Sequence, residues 1–279
     1  MLPLSDWPLA ERRNIIGVFT DVDDTLTTEG AITPDALTAL GALKAAGLQV
    51  IPITGRPVGW SEPFAWGDTA KGLAPWPVDA IVAENGSVAI VQCKNDALLN
   101  MQLHNQLSKI YQQDAATRAD NYARMQAVAA RIVADVAGAQ LSQDSAGRET
   151  DIAIDHSEFT HLSADKIAQV VALMQAQGMV ATVSSIHING WFGAHNKLEG
   201  ARWIVRQLFN RDLDAERERW VYVGDSTNDE LMFAAFKNSM GVANIARFLP
   251  QITTPPRYVT GAERGAGFAE VARAVLAAR

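Results

Sequence analysis

The chain has 279 residues, 48% hydrophobic and 20% charged, with a net charge of −7; that composition excludes a disordered or fibrous protein, and the length holds one large domain or two ordinary ones. The acidic balance, with no Lys/Arg-rich block, argues against a nucleic-acid or anionic-membrane partner. Cys93 is the only cysteine, so no disulfide framework or thiolate metal cluster is expected, a reducing compartment is the natural home, and Cys93 reads as a small buried apolar residue.

The opening MLPLSDWPLAERRNIIGVF breaks any apolar stretch with acids and arginines, and no run approaches the roughly 18 residues of a membrane span. A cytoplasmic location is expected. Apolar runs then predict buried strands at Ile15–Thr20, Leu48–Ile53 and Ala80–Ala83, and again at Trp220–Val223 and Met240–Ala243. Helical segments lie between several of them. Thr33 as N-cap, Pro34 at the first helical position and Gly47 at the stop frame one such helix, with Leu37, Leu40 and Leu43 on its inner face. Strand alternating with helix is the signature of a parallel sheet.

Residues 88–190 read differently. Tyr122, Met125, Ala129, Ile132, Val133 and Val136 recur at helical spacing, and a second helix begins near Ser163 with Ile167, Val170, Val171 and Met174 inward. Strand-like pieces, GRETDIAID and MVATVSSIHING, lie between and after them. An α+β module, 88–190, is therefore expected as an insertion between core segments 1–87 and 191–279.

Chemistry concentrates where buried strands end. Asp21, Asp23 and Asp24 follow the first strand; like charges this close repel unless a cation neutralises them. All-oxygen donors point to Mg2+ rather than zinc. A second acidic turn, Asp225-Ser226-Thr227-Asn228-Asp229, follows the Trp220–Val223 strand, and the carboxyl ends of parallel strands are where such turns meet. Either Asp225 or Asp229 alone would read as a helix cap. At a third strand end, the Thr54 hydroxyl can bond an anion and Gly55 allows close backbone approach, with Arg56 next to it as a substrate-side or structural residue. Lys197 stands at the start of a helix; alone it would read as solvated.

Together these four pieces resemble the haloacid dehalogenase superfamily, whose pattern is DxDxT, Thr or Ser, Lys, then GDxxND. The insert and Ala83-Glu84-Asn85-Gly86 resemble its subfamily IIB, the Cof-like and sucrose-phosphatase-like branch. The resemblance implies an α/β fold with a Rossmann-like three-layer parallel-sheet core and an α+β cap. It implies Asp21 as nucleophile, Asp23 as acid and then base, and Thr54 and Lys197 as a clamp on the phosphoryl oxygens. It implies Mg2+ held by Asp21, the backbone carbonyl of Asp23 and Asp225, with Asp229 and Asn228 in support. The activity implied is a phosphatase of a small phosphorylated metabolite, most readily a sugar phosphate. The acid at Asp23 argues against a dehalogenase. Asp24 stands where the pattern more often has Gly and is assigned no catalytic role.

In the cap, Ser185, His187, Asn189 and Trp191 share one strand face and Ile186 and Ile188 the other. A polar face of this kind can read sugar hydroxyls, with Trp191 placed to stack on a ring; a solvated sheet face would look the same in sequence. Arg148, Asp151, Asp155 and His195 are weaker candidates. The runner-up activity is a sugar phosphomutase, and the alternative of another class is a receiver-like phosphoacceptor module. The sequence leaves the substrate's identity and the oligomeric state open.

Overall fold

The computed structural model describes residues 1–91 and 108–279; Cys93, and with it the buried-apolar expectation, lies outside the described residues. The core is a six-stranded sheet in the order Leu2–Pro3, Tyr258–Val259, Asn238–Gly241, Trp220–Gly224, Gly17–Thr20 and Gln49–Pro52. Every pairing in it is parallel. Alternation along the strands builds both faces. Val18, Val50 and Val221 join one apolar cluster with Leu40, Leu43 and Phe268, whereas Phe19, Ile51 and Tyr222 join another with Ala201, Ile204 and Phe236. Helices Pro34–Ala45 and Arg264–Leu276 cover the first face, and Lys197–Phe209 and Glu230–Ala235 the second. With both faces buried, the strands Gly17–Thr20, Gln49–Pro52 and Trp220–Gly224 are mostly apolar, which makes their runs readable.

The Pro34–Ala45 helix starts as its sequence dictates, with the Thr33 hydroxyl accepting the Ala36 N–H at 3.2 Å. Its inner face differs from expectation in one residue. Leu40 and Leu43 are fully buried with Ala36 and Ala39, but Leu37 is 40% exposed, because the two alanines, not Leu37, complete the stripe facing the sheet. The strand expected at Met240–Ala243 occupies Asn238–Gly241. Its polar start is stabilised inside by the Trp7 indole N–H donating to Asn238 Oδ1 at 3.0 Å.

Ala80–Ala83 joins the parallel sheet through the Ile53–Val82 bridge. Val88–Val91 pairs antiparallel with it, and Ser108–Tyr111 pairs antiparallel with Val88–Val91 in turn. The boundary expected at residue 88 therefore cuts a core hairpin, and these two strands extend the core. An apolar run states that a strand is buried but not which sheet buries it.

The inserted α+β unit has a four-stranded antiparallel sheet in the order Val180–Val183, His187–Trp191, Ile152–Asp155 and Gln140–Leu141. Helices Ala115–Asp135 and Ala164–Ala176 cover one face, with Met125, Ala129, Ile132, Val170, Met174 and Ile188 forming its own core. Tyr122 and Val133, expected inward, are 37% and 45% exposed; they lie at the margins of the helix stripe. Among the described residues no helix is long and apolar enough to cross a membrane.

Candidate active site

Parallel pairing aligns three strand ends. Thr20 lies opposite Val223 on one side and Pro52 on the other, so Asp21, Asp225 and Thr54 emerge together at the carboxyl edge, flanking the strand where the chain order reverses. The Asp21 N–H donates to Val223 O at 2.8 Å, which fixes the first acidic turn to the second strand.

Lys197 crosses from the helix above. Its Nζ lies 2.7 Å from Asp21 Oδ1 and 2.6 Å from Asp229 Oδ1, all three side chains being buried. The helix can reach this point because Gly86 and Gly200 touch. A Cβ on Gly200 would lie 2.6 Å from the Gly86 Cα, and one on Gly86 would lie 2.3 Å from Asn196 O. Asn196 caps the helix by accepting the Leu198 and Glu199 N–H groups at 2.9 Å. Asp229 is saturated: Oδ1 also accepts from the Tyr222 hydroxyl, and Oδ2 takes the Asp225 and Ser226 N–H groups at 2.9 and 3.1 Å. This inward turn needs Gly224, since a Cβ there would lie 2.5 Å from Asp229 Oδ2.

Burial pushes the Asp21 carboxyl up to about 7 against the pull of Lys197, with Asp229 adding to the rise. Burial, then Asp21 and Asp229, hold Asp225 well above the usual carboxylate range. On Lys197 burial disfavours the charge, but Asp21 and Asp229 outweigh it and raise its pKa. Asp225 Oδ2 accepts from Asn244 and Arg247, at 3.1 and 3.3 Å. Asp225 Oδ1 is buried without a partner among the described residues. An orphaned carboxylate oxygen beside two further carboxylates, with donor atoms of Asp21, Asp225 and Asp229 within 4.8 Å of one another, fits a hard divalent cation such as Mg2+.

Asp24 has φ +54°, a conformation glycine adopts freely and an aspartate more readily than most residues. Its carboxylate accepts from Arg247 at 2.6 Å and pairs with Arg264 at 3.1 Å, so the side chain ties down the loop beside Asp225.

Thr54 is fully buried and its hydroxyl accepts the Arg56 N–H at 3.0 Å. Above it a narrow crevice lies between core and cap, lined by Asp21, Asp23, Gly55, Arg56, His187, Asn189 and Asn228 among others. These seven thus meet around one site with Thr54, Lys197, Asp225 and Asp229 beneath. Asn228 accepts from the Ser226 hydroxyl at 2.9 Å. Asn189 donates to Gly55 O at 3.3 Å and to Asp151 at 3.0 Å.

Trp191 is elsewhere. It is 1% exposed, packed in the cap core, stacked on His195 and donating to His195 O at 2.9 Å, so the expected ring-stacking position does not line the crevice. Strand alternation is right for His187 and Asn189, but the strand leaves the crevice before residue 191. Arg148 and Asp151 form a buried pair at 2.7 Å. Asp155 accepts four successive N–H groups from residues 157–160.

Sequence reasoning missed Tyr222, Asp144, Glu158, Asn244 and Arg247. Tyr222 carried a signal, because a tyrosine in a fully buried strand needs a polar partner for its hydroxyl. The other four have ordinary surface residue types and reach the site only through the fold.

The profile of the haloacid dehalogenase-like hydrolase family matches residues 18–269. The chain belongs to that family. No curated protein matches the sequence. Among solved structures, a putative HAD/COF-like hydrolase from Plasmodium vivax superposes with TM-score 0.68 at 15% identity, covering 98% of this chain and 100% of the other. A Thermoplasma acidophilum protein gives 0.68 at 15%, covering 94% and 98%. The sucrose-phosphatase of Synechocystis sp. PCC6803, solved with sucrose and phosphate, gives 0.63 at 15%, covering 93% and 97%. At these identities the likeness is one of fold, and it extends over both core and cap of this haloacid dehalogenase-like hydrolase.

Proposed function

We propose that this hydrolase is a Mg2+-dependent phosphatase of a small phosphorylated metabolite, with sugar phosphates the favoured class, acting through an aspartyl-phosphate on Asp21. The observation that carries the reading is the Lys197 ammonium held between Asp21 and Asp229 beside the unpartnered Asp225 Oδ1. The likeness to a sucrose-phosphatase supports the substrate class.

Asp21, the Asp23 backbone carbonyl and Asp225 would hold Mg2+, with Asn228 in support. Bound there, the cation would neutralise charge on the phosphoryl oxygens and on the carboxylates. Asp229, with both oxygens engaged, orients Lys197 and keeps it charged. Lys197 and Thr54 take the phosphoryl oxygens. An Asp21 oxygen forms the new O–P bond as the ester P–O bond breaks, and the Asp23 carboxyl gives its proton to the leaving oxygen. Asp23 then takes a proton from water as the water oxygen bonds phosphorus and the Asp21 O–P bond breaks, which restores both carboxyls. His187 and Asn189, on the cap side of the crevice, contact the leaving group.

A screen of phosphorylated metabolites for Mg2+-dependent phosphate release tests the proposal. Release from at least one sugar phosphate is expected. Exchange of phosphate between sugar positions without net release would replace the phosphatase by a mutase, and a phosphoprotein stable for minutes without turnover would replace it by a phosphoacceptor module.

A further inference from the structure

Arg56 joins the core to the cap at the crevice. Its side chain is only 5% exposed, and three carboxylates surround it. Nε and Nη2 fork onto Asp23 at 3.0–3.1 Å. Nη2 also donates to Glu158 at 2.7 Å, and Nη1 donates to Asp144 at 3.1 Å and Glu158 at 3.3 Å. The guanidinium carbon lies 5.1 Å from the centre of the Trp60 ring.

Both cap carboxylates are preset. Glu158 sits on the turn whose N–H groups Asp155 gathers, and its Oε2 meets His187 Nε2 at 2.7 Å. Asp144 Oδ1 is occupied by Ser142 at 2.6 Å and Arg148 at 3.1 Å, leaving Oδ2 for Arg56. Burial raises the affinity of both for a proton, but Arg148 on Asp144 and the His187 and Arg56 bonds on Glu158 outweigh it and lower both pKa values. Two ionised groups of the cap therefore grip an arginine whose remaining donors hold the acid of the core.

We propose that Arg56 is a positioning residue for Asp23, and that Glu158 and Asp144 hold Arg56 in the posture that aims the Asp23 carboxyl at the leaving oxygen, so that cap closure and acid placement are one event. The proposal rests on the phosphatase reading. A planar fork pinned at both ends removes the rotamer freedom of a short acid that must meet one ester oxygen, and orientation is where an acid's contribution is lost most easily. A latch serving only the cap would have no need of the bonds to Asp23.

The test is the leaving-group dependence of kcat/KM, which reports steps up to P–O cleavage. Phenyl, 4-nitrophenyl and 2,4-dinitrophenyl phosphate differ chiefly in how much their leaving oxygens need a proton, and none carries sugar hydroxyls. For Arg56→Lys and Glu158→Gln, with folding checked by circular dichroism, kcat/KM on phenyl phosphate should fall about 100-fold and on 2,4-dinitrophenyl phosphate only about 5-fold or less, following the usual range of general-acid contributions. Arg56→Lys should cost little further in an Asp23→Asn background, because the two act as one unit. A loss equal across the three esters, or one that adds fully to Asp23→Asn, overturns the positioning role while leaving the phosphatase reading standing. A wild-type enzyme that with Mg2+ releases phosphate from none of the three esters and from no sugar phosphate overturns both.

Discussion

Lys197 Nζ lies 2.7 Å from Asp21 Oδ1 across 176 positions of sequence. The pair gives the buried aspartate the positive partner it needs, and in the proposed reaction it would give an incoming phosphoryl group a cation next to its nucleophile. Lys197→Met should lower kcat/KM by at least about a hundredfold, since one preorganised electrostatic contact to a developing charge is worth that much. It should also lower the melting temperature, because breaking a buried ion pair leaves a charge uncompensated at about 3–5 kcal/mol. Full activity in this variant would misplace the lysine.

Tyr222 tests the support behind that contact. Its hydroxyl donates to the same Asp229 oxygen that holds Lys197. Tyr222→Phe should cost about 1.5–3 kcal/mol, the range for a hydrogen bond to a charged group, seen as a fall in kcat with KM nearly unchanged. A rise in KM alone would place Tyr222 on the substrate side.

Without divalent metal, the acidic cluster makes stability depend on pH. The Asp21 carboxyl is raised from 3.8 in the unfolded chain to about 7 in the fold, so the fold binds the extra proton between those values. Its stabilising contribution is complete below the lower value and is lost as pH rises to the upper one. Asp225 shifts in the same direction. In EDTA the melting temperature should therefore fall between pH 5 and pH 8, and Mg2+ should restore more at pH 8 than at pH 5. At a hundred times its Kd the ion would add about 2.7 kcal/mol. Thermal melts in EDTA and in Mg2+ measure both; an Mg2+ effect larger at pH 5 contradicts the assignment.

The cap strand separates recognition from packing. Asn189→Ala should lower kcat/KM on the best sugar phosphate by about 1–3 kcal/mol, with much less effect on 4-nitrophenyl phosphate, whereas His187→Ala also frees Glu158 and should lower both. Trp191→Ala should act differently, destabilising the cap by about 3–5 kcal/mol as a buried aromatic lost from a packed core, and lowering both activities alike. Equal losses on both substrates for Asn189 would assign it to the fold.

Much of this was legible in the sequence for physical reasons. A strand covered on both sides is mostly apolar, so Gly17–Thr20, Gln49–Pro52 and Trp220–Gly224 announced themselves, and the carboxylates that follow Thr20 and Gly224 had no packing reason to be there. What stayed hidden depends on tertiary partners. Val88–Val91 belongs to the core because it folds back antiparallel on Ala80–Ala83, a pairing that local pattern does not encode. Trp191 turns into the cap core although strand alternation puts it with His187. Glu158 and Asp144 are ordinary acids until Arg56, 102 and 88 positions away, gathers them.

The central claim is that Asp21 carries the phosphoryl group. Rapid quenching of the enzyme with Mg2+ and a phosphate ester, followed by reduction with tritiated borohydride and peptide mass spectrometry, reads the residue directly. The account predicts label on the peptide containing Asp21, reduction of that residue to homoserine, and neither label nor turnover in Asp21→Asn. Label on another residue, or hydrolysis by Asp21→Asn within about tenfold of wild type, a difference of only about 1.4 kcal/mol, would contradict it.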